Sequence, residues 1–121
     1  MEFKIFQTQE IETYRVAYFF GEKRYDHRAK IGLYDKNSKC LAYINFWKDP
    51  DEVYAYDVSQ GGFIHIHCPH TKYPEVIDLL RNESPIYLGY NDSEQTAWLS
   101  TTAEPVGEEE SEMPQLRIRP A

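Results

Sequence analysis

CLAYINFW, residues 40–47, is apolar on both faces if it is extended. Successive side chains of a strand point to opposite sides, so Leu41, Tyr43 and Trp47 share one face and Ala42, Ile44 and Phe46 the other. A strand with water on one side shows one polar face. This one is expected at the centre of a sheet or under another element.

The segments around it alternate. RAKIGLYD (28–35) sets Ile31 and Leu33 against Lys30, Gly32 and Tyr34. ETYRVAYFF (12–20) places Tyr14, Val16, Tyr18 and Phe20 on one side, with Arg15, Ala17 and Phe19 opposite. DKNSK (35–39) is a turn of the Asp/Asn/Ser kind, and GEKRYDH (21–27) is a polar turn with a glycine. These segments predict three strands in an antiparallel meander. EFKIFQ (2–7) reads as a strand ahead of them.

Beyond residue 47 the pattern changes. KDPDEVYAYDVSQ (48–60) is the longest irregular link, and it leaves Tyr54 and Tyr56 exposed on a loop of the kind that often carries function. GGFIHIH (61–67) predicts a strand opened by a diglycine turn. In TKYPEVIDLLRNE (71–83), Tyr73, Val76, Ile77 and Leu80 recur at helical spacing. Thr71 suits the cap, Pro74 the first turn, and Asn82 and Pro85 the end, which predicts a helix over about 72–82. PIYLGY (85–90) and TAWLSTT (96–102) make a last hairpin around NDSEQ. The fold class expected is α+β, mostly β. It would be a small antiparallel barrel or curled sheet of about six to seven strands, with the one helix packed on it.

With 121 residues the chain fits a single domain, here read as residues 1–103. Residues 104–121 form an acidic tail: five of the nine residues from Glu104 to Glu112 are acidic, and Pro114 and Pro120 follow. Such a segment buries little and is expected to be mobile, although QLRIR (115–119) could add a strand to an edge. Ten tyrosines favour pleated, half-buried surfaces. No apolar run reaches membrane-helix length, and MEFKIFQTQE lacks the basic-then-apolar order of a secretory signal, so the cytoplasm is expected. Cys40 and Cys68 then read as buried thiols rather than a bridge.

The net charge is −7 and unevenly spread. Residues 1–48 hold nine Lys/Arg and six Asp/Glu; the remainder holds the other four Lys/Arg and fourteen Asp/Glu. The overall acidity opposes a long nucleic acid. The asymmetry allows a homodimer, or a protein partner that meets one face.

IHIHCPH, ending at His70, holds three histidines and a cysteine. On a strand, Phe63, His65 and His67 point one way and Ile64, Ile66 and Cys68 the other. The apolar set is the natural core face, so Cys68 leaves the group of ligands. His65, His67 and His70 remain as a candidate metal set for an enzyme. Half-exposed sheet histidines are the plainer reading. Glycine-rich phosphate loops, nucleophile elbows and zinc-protease helices are all missing, and no cofactor is implied. Aromatic and basic residues interleave early in the chain. Arg15, Arg28 and Lys30, with Tyr54 and Tyr56, are the candidate contacts for a small anion such as a nucleotide or cyclic nucleotide. The sequence therefore favours a non-enzymatic module that binds a protein, ahead of one that captures a small anion, and a metal enzyme after both.

DLLRNESPIYLGYND (78–92), followed by LSTTAEPVGEEE (99–110), resembles a pattern in small uncharacterised bacterial proteins. They share a helix ending in D-L-L-R-N-E, then P-x-Y, then E-P-V-G-E; YINF (43–46) fits the same pattern less specifically. The resemblance implies a shared fold and a bacterial or mobile-element origin. It brings no catalytic residues with it.

Overall fold

The computed structural model describes residues 7–21 and 26–102. Most of the strand expected at 2–7, residues 22–25 of the expected turn and the acidic tail lie outside the described residues. The described residues form eight strands and one helix: β1 (Gln7–Ile11), β2 (Thr13–Tyr18), β3 (His27–Tyr34), β4 (Cys40–Trp47), β5 (Val58–Gln60), β6 (Phe63–Pro69), α1 (Tyr73–Asn82), β7 (Ile86–Asn91) and β8 (Thr96–Thr101).

The meander is as the alternation predicts. β2, β3 and β4 pair antiparallel, and β4 lies inside a five-stranded sheet of order β2-β3-β4-β6-β5. Its double-sided apolar pattern has this cause: Ala42, Ile44, Phe46 and Trp47 are all buried. In the β3–β4 turn, Asp35 Oδ1 accepts from the Asn37 and Lys39 amides at 2.8 and 2.9 Å.

The mostly β, α+β class holds, but the strands are not arranged as one barrel or curled sheet. β7 pairs with β1 on one side and β8 on the other in a separate three-stranded sheet. The link at 48–60 contains a strand, β5, which the diglycine joins to β6. Gly61 and Gly62 have φ of +70° and +91°, the geometry that a two-residue hairpin needs and other residues resist. β6 then slots between β5 and β4, antiparallel to the first and parallel to the second.

The register sorts side chains into rows across the large sheet. Tyr14, Leu33, Ala42 and Ile64 form one row; Val16, Ile31, Ile44 and Ile66 the next; Tyr18, Ala29, Phe46 and Cys68 a third. The β3, β4 and β6 members of these rows, with Tyr14, make the core with Leu80 of α1 and Ile86 and Leu88 of β7. Tyr73, Val76 and Ile77 bring the helix onto the sheet, and the Tyr73 ring meets Phe46 edge-on at 5.2 Å. The helix ends with the Glu83 amide donating to Leu79 O at 3.1 Å, while Arg81 is exposed.

Candidate binding surfaces

The face of the large sheet away from the core has its own rows. Arg15, Gly32, Tyr43 and His65 form one, and Ala17, Lys30, Asn45 and His67 another. His27 pairs with Trp47 at the end of the sheet. Most of the polar candidates read from the sequence fall here, and most are engaged by neighbouring rings. The Arg15 guanidinium lies 5.7 Å from the Tyr34 ring centroid, and the Lys30 ammonium 5.1 Å from that of Tyr43. Gly32 makes room for Tyr34, whose hydroxyl would stand 2.7 Å from an added Cβ. The Tyr34 hydroxyl and the Cys40 thiol beside Tyr43 push its phenol up to about 12. Phe63 meets Tyr43 edge-on at 5.2 Å and His65 at 4.8 Å.

At the far end of this face, Trp47 is covered by His27 at 4.5 Å and Tyr54 at 4.7 Å, and Tyr54 also packs on His67 at 4.9 Å. Tyr54 stays 62% exposed, and Tyr56, further along the link, 59%. The Trp47 indole donates to His67 Nδ1 at 3.1 Å. Burial lowers both His67 and His27, more than the neighbouring Asp57 and Asp26 carboxylates raise them.

The histidine strand has the predicted faces, with Ile64, Ile66 and Cys68 packed on the core. Burial pushes the Cys68 thiol up to about 12, so it stays protonated at neutral pH and is no thiolate nucleophile. The metal set, however, divides. His65 and His67 share the outer face, whereas His70 opens a 3-10 turn (His70–Lys72) before α1 and lines a cleft on the other side. Among the described residues no three His, Cys, Asp or Glu side chains gather into a group that could hold a metal ion.

Arg28 parts from Arg15 and Lys30 for a similar reason. The β3–β4 register shifts between His27 and Ala29, which leaves Arg28 as an extra residue in a bulge. It lines the cleft with Tyr18, Ala29, His70, Thr71, Tyr73 and Pro74. A bulge is a property of pairing, and no residue type in RAKIGLYD announces it.

β2 forms one edge of the large sheet, and among the described residues it pairs with β3 alone. α1 covers it in part, with the Tyr73 ring 5.9 Å from that of Tyr18. Val16 and Tyr18, although on core-side rows, are 38% and 46% exposed, and Phe20 just beyond is 86% exposed.

Sequence reasoning missed one further residue. Asp57 joins the two sheets: Oδ1 accepts from the His67 amide at 3.0 Å and Oδ2 from the Ala97 amide at 2.9 Å. Its own amide donates to Gln95 O, and its carbonyl accepts from the Tyr90 hydroxyl. Its place in a polar loop was visible; its partners, forty residues away in one case, were not.

No family model, curated protein or solved structure matches this chain. Among the described residues no helix is long and apolar enough to cross a membrane.

Proposed function

We propose that this chain is a binding module without catalysis of its own, and that its partner is a second copy joined through β2. The observation that carries this reading is the state of the β2 edge. Edge strands are ordinarily blunted by charge, proline, bulges or a covering element. β2 has one charged residue, Arg15, which lies over Tyr34, and no proline. Among the described residues its outer backbone edge has no strand beside it, and Val16, Tyr18 and Phe20 are exposed there.

Two such edges are complementary to each other. About a two-fold axis, an antiparallel pair of β2 strands matches each free N–H with a carbonyl of the same strand in the other copy. The apolar side chains left exposed at this edge come together in the same step. The large sheet would then continue through both copies.

Native mass spectrometry of the full chain tests this. A dimer is expected, and Val16→Lys is expected to weaken it at least tenfold, because a charge would enter the joint. Val16 is exposed enough in the single copy for the variant to keep its fold. A wild type that stays monomeric up to millimolar concentration, or a dimer indifferent to Val16→Lys, overturns the reading.

A further inference from the structure

We propose that the cleft between Tyr18, Arg28 and the start of α1 binds a small phosphomonoester carried on a planar ring, the chemistry of a mononucleotide. The cleft shares Tyr18 with the β2 edge, but Arg28, His70 and Thr71 lie off that edge, so a monomeric variant would show binding as well.

Three observations meet there. Arg28 is placed by the bulge, and its Nε is fully removed from solvent with no hydrogen-bond partner. A buried donor without an acceptor costs about 1–3 kcal/mol, more if charged; solvent does not reach this one, so a ligand in the cleft would meet the other nitrogens of the guanidinium. Among the described residues the salt bridge is Lys72–Glu75, and no carboxylate occupies the guanidinium.

The second observation is the composition of the walls. The polar lining, Arg28, His70 and Thr71, contains no acid, and Tyr18, Tyr73 and Pro74 supply apolar surface. Tyr18 and Tyr73 meet edge-on at 5.9 Å, an arrangement that offers a ring-sized ligand an aromatic contact. The cleft encloses about 330 Å³, within the range of small-molecule sites.

The third is the helix that starts at its rim. Neither the 3-10 turn at His70 nor the ten-residue α1 is capped by a side-chain hydrogen bond. The positive end of the helix dipole therefore adds to the Arg28 charge. The Tyr73 amide is already given to His70 O and Pro74 has none, so the helix adds its dipole and no free amide there, while the forked guanidinium and the Thr71 hydroxyl suit the tetrahedral oxygens of a phosphate. The second cleft, lined by Glu10, Glu12 and Asp35 with Lys36, has the opposite charge and offers an anion nothing comparable.

The test is a ¹H–¹⁵N NMR titration of the full chain with adenosine monophosphate, with adenosine and inorganic phosphate as controls. The monophosphate is expected to shift the amides of Arg28, His70 and Thr71 saturably, and inorganic phosphate to shift the same amides more weakly. Arg28→Gln is expected to weaken the monophosphate at least tenfold. Thr71→Val, at an exposed position that leaves the fold intact, should weaken it several-fold. Absence of saturable shifts overturns the proposal. So does adenosine binding as tightly as its monophosphate, or an unchanged affinity in the variants.

Discussion

His67 holds its place through both its ring and its backbone. Nδ1 accepts the Trp47 indole proton, which a protonated imidazole could not do, and the amide is tied to Asp57. Burial lowers His67, with His27 and His65 adding to that direction and Asp57 opposing it. His27 is lowered by burial and by Lys30, against Asp26. A histidine lowered in the fold takes up its proton more readily when unfolded. The stability it contributes is therefore whole above the ordinary value of 6.5 and is lost as pH falls from there through the depressed native value. Histidine NMR titration should place both rings below 6.5. Urea midpoints should stay level above that pH and drop below it. Native values at or above the ordinary one would refute the argument.

At the scale of elements, the two sheets depend on a side chain from the link between β4 and β5. Asp57→Ala removes carboxylate bonds to β6 and β8 and leaves two amides without their acceptor. A loss of about 2–4 kcal/mol in urea unfolding is expected, since hydrogen bonds to charged groups contribute about 1.5–3 kcal/mol each and are not additive. A loss below half a kcal/mol would mean that water replaces the carboxylate without cost. The elements also show which structure the sequence makes legible. β4 displays its burial as a run apolar on both faces, and β6 as side-chain alternation. β5 does not: Val58–Gln60 is three residues long with one apolar member. β1, QTQEI, is mostly polar and forms its strand beside Ile86–Tyr90, far along the chain. The direction of a neighbour leaves no periodic trace either, so the parallel β4–β6 pair and the division into two sheets are tertiary facts. The candidate site follows the same rule. Alternation sets Arg15, Lys30, His65 and His67 each opposite the apolar face of its own strand, and pairing gathers them on one side of the sheet, whereas Arg28 and His70 reach the cleft through a bulge and a helix start.

In the whole molecule, one core serves both sheets, and the cover is uneven. Phe46, Ile31 and Leu33 are fully enclosed, while the β2 end of the same rows stands open. The slot that β6 fills has a consequence for how the chain assembles. Ala42 of β4 meets Ile64 of β6 across 22 positions of sequence, whereas the hairpin partners Gln60 and Phe63 are neighbours around a turn. Loop closure makes the near contact fast and the far one slow. The hairpin is thus expected to form ahead of its docking beside β4 and to leave with it. In hydrogen exchange, the β6 amides bonded to β4 should open together with those of β5, at a lower free energy than the amides of β3. Exchange of β6 in step with β3 would instead mark the five strands as a single cooperative block.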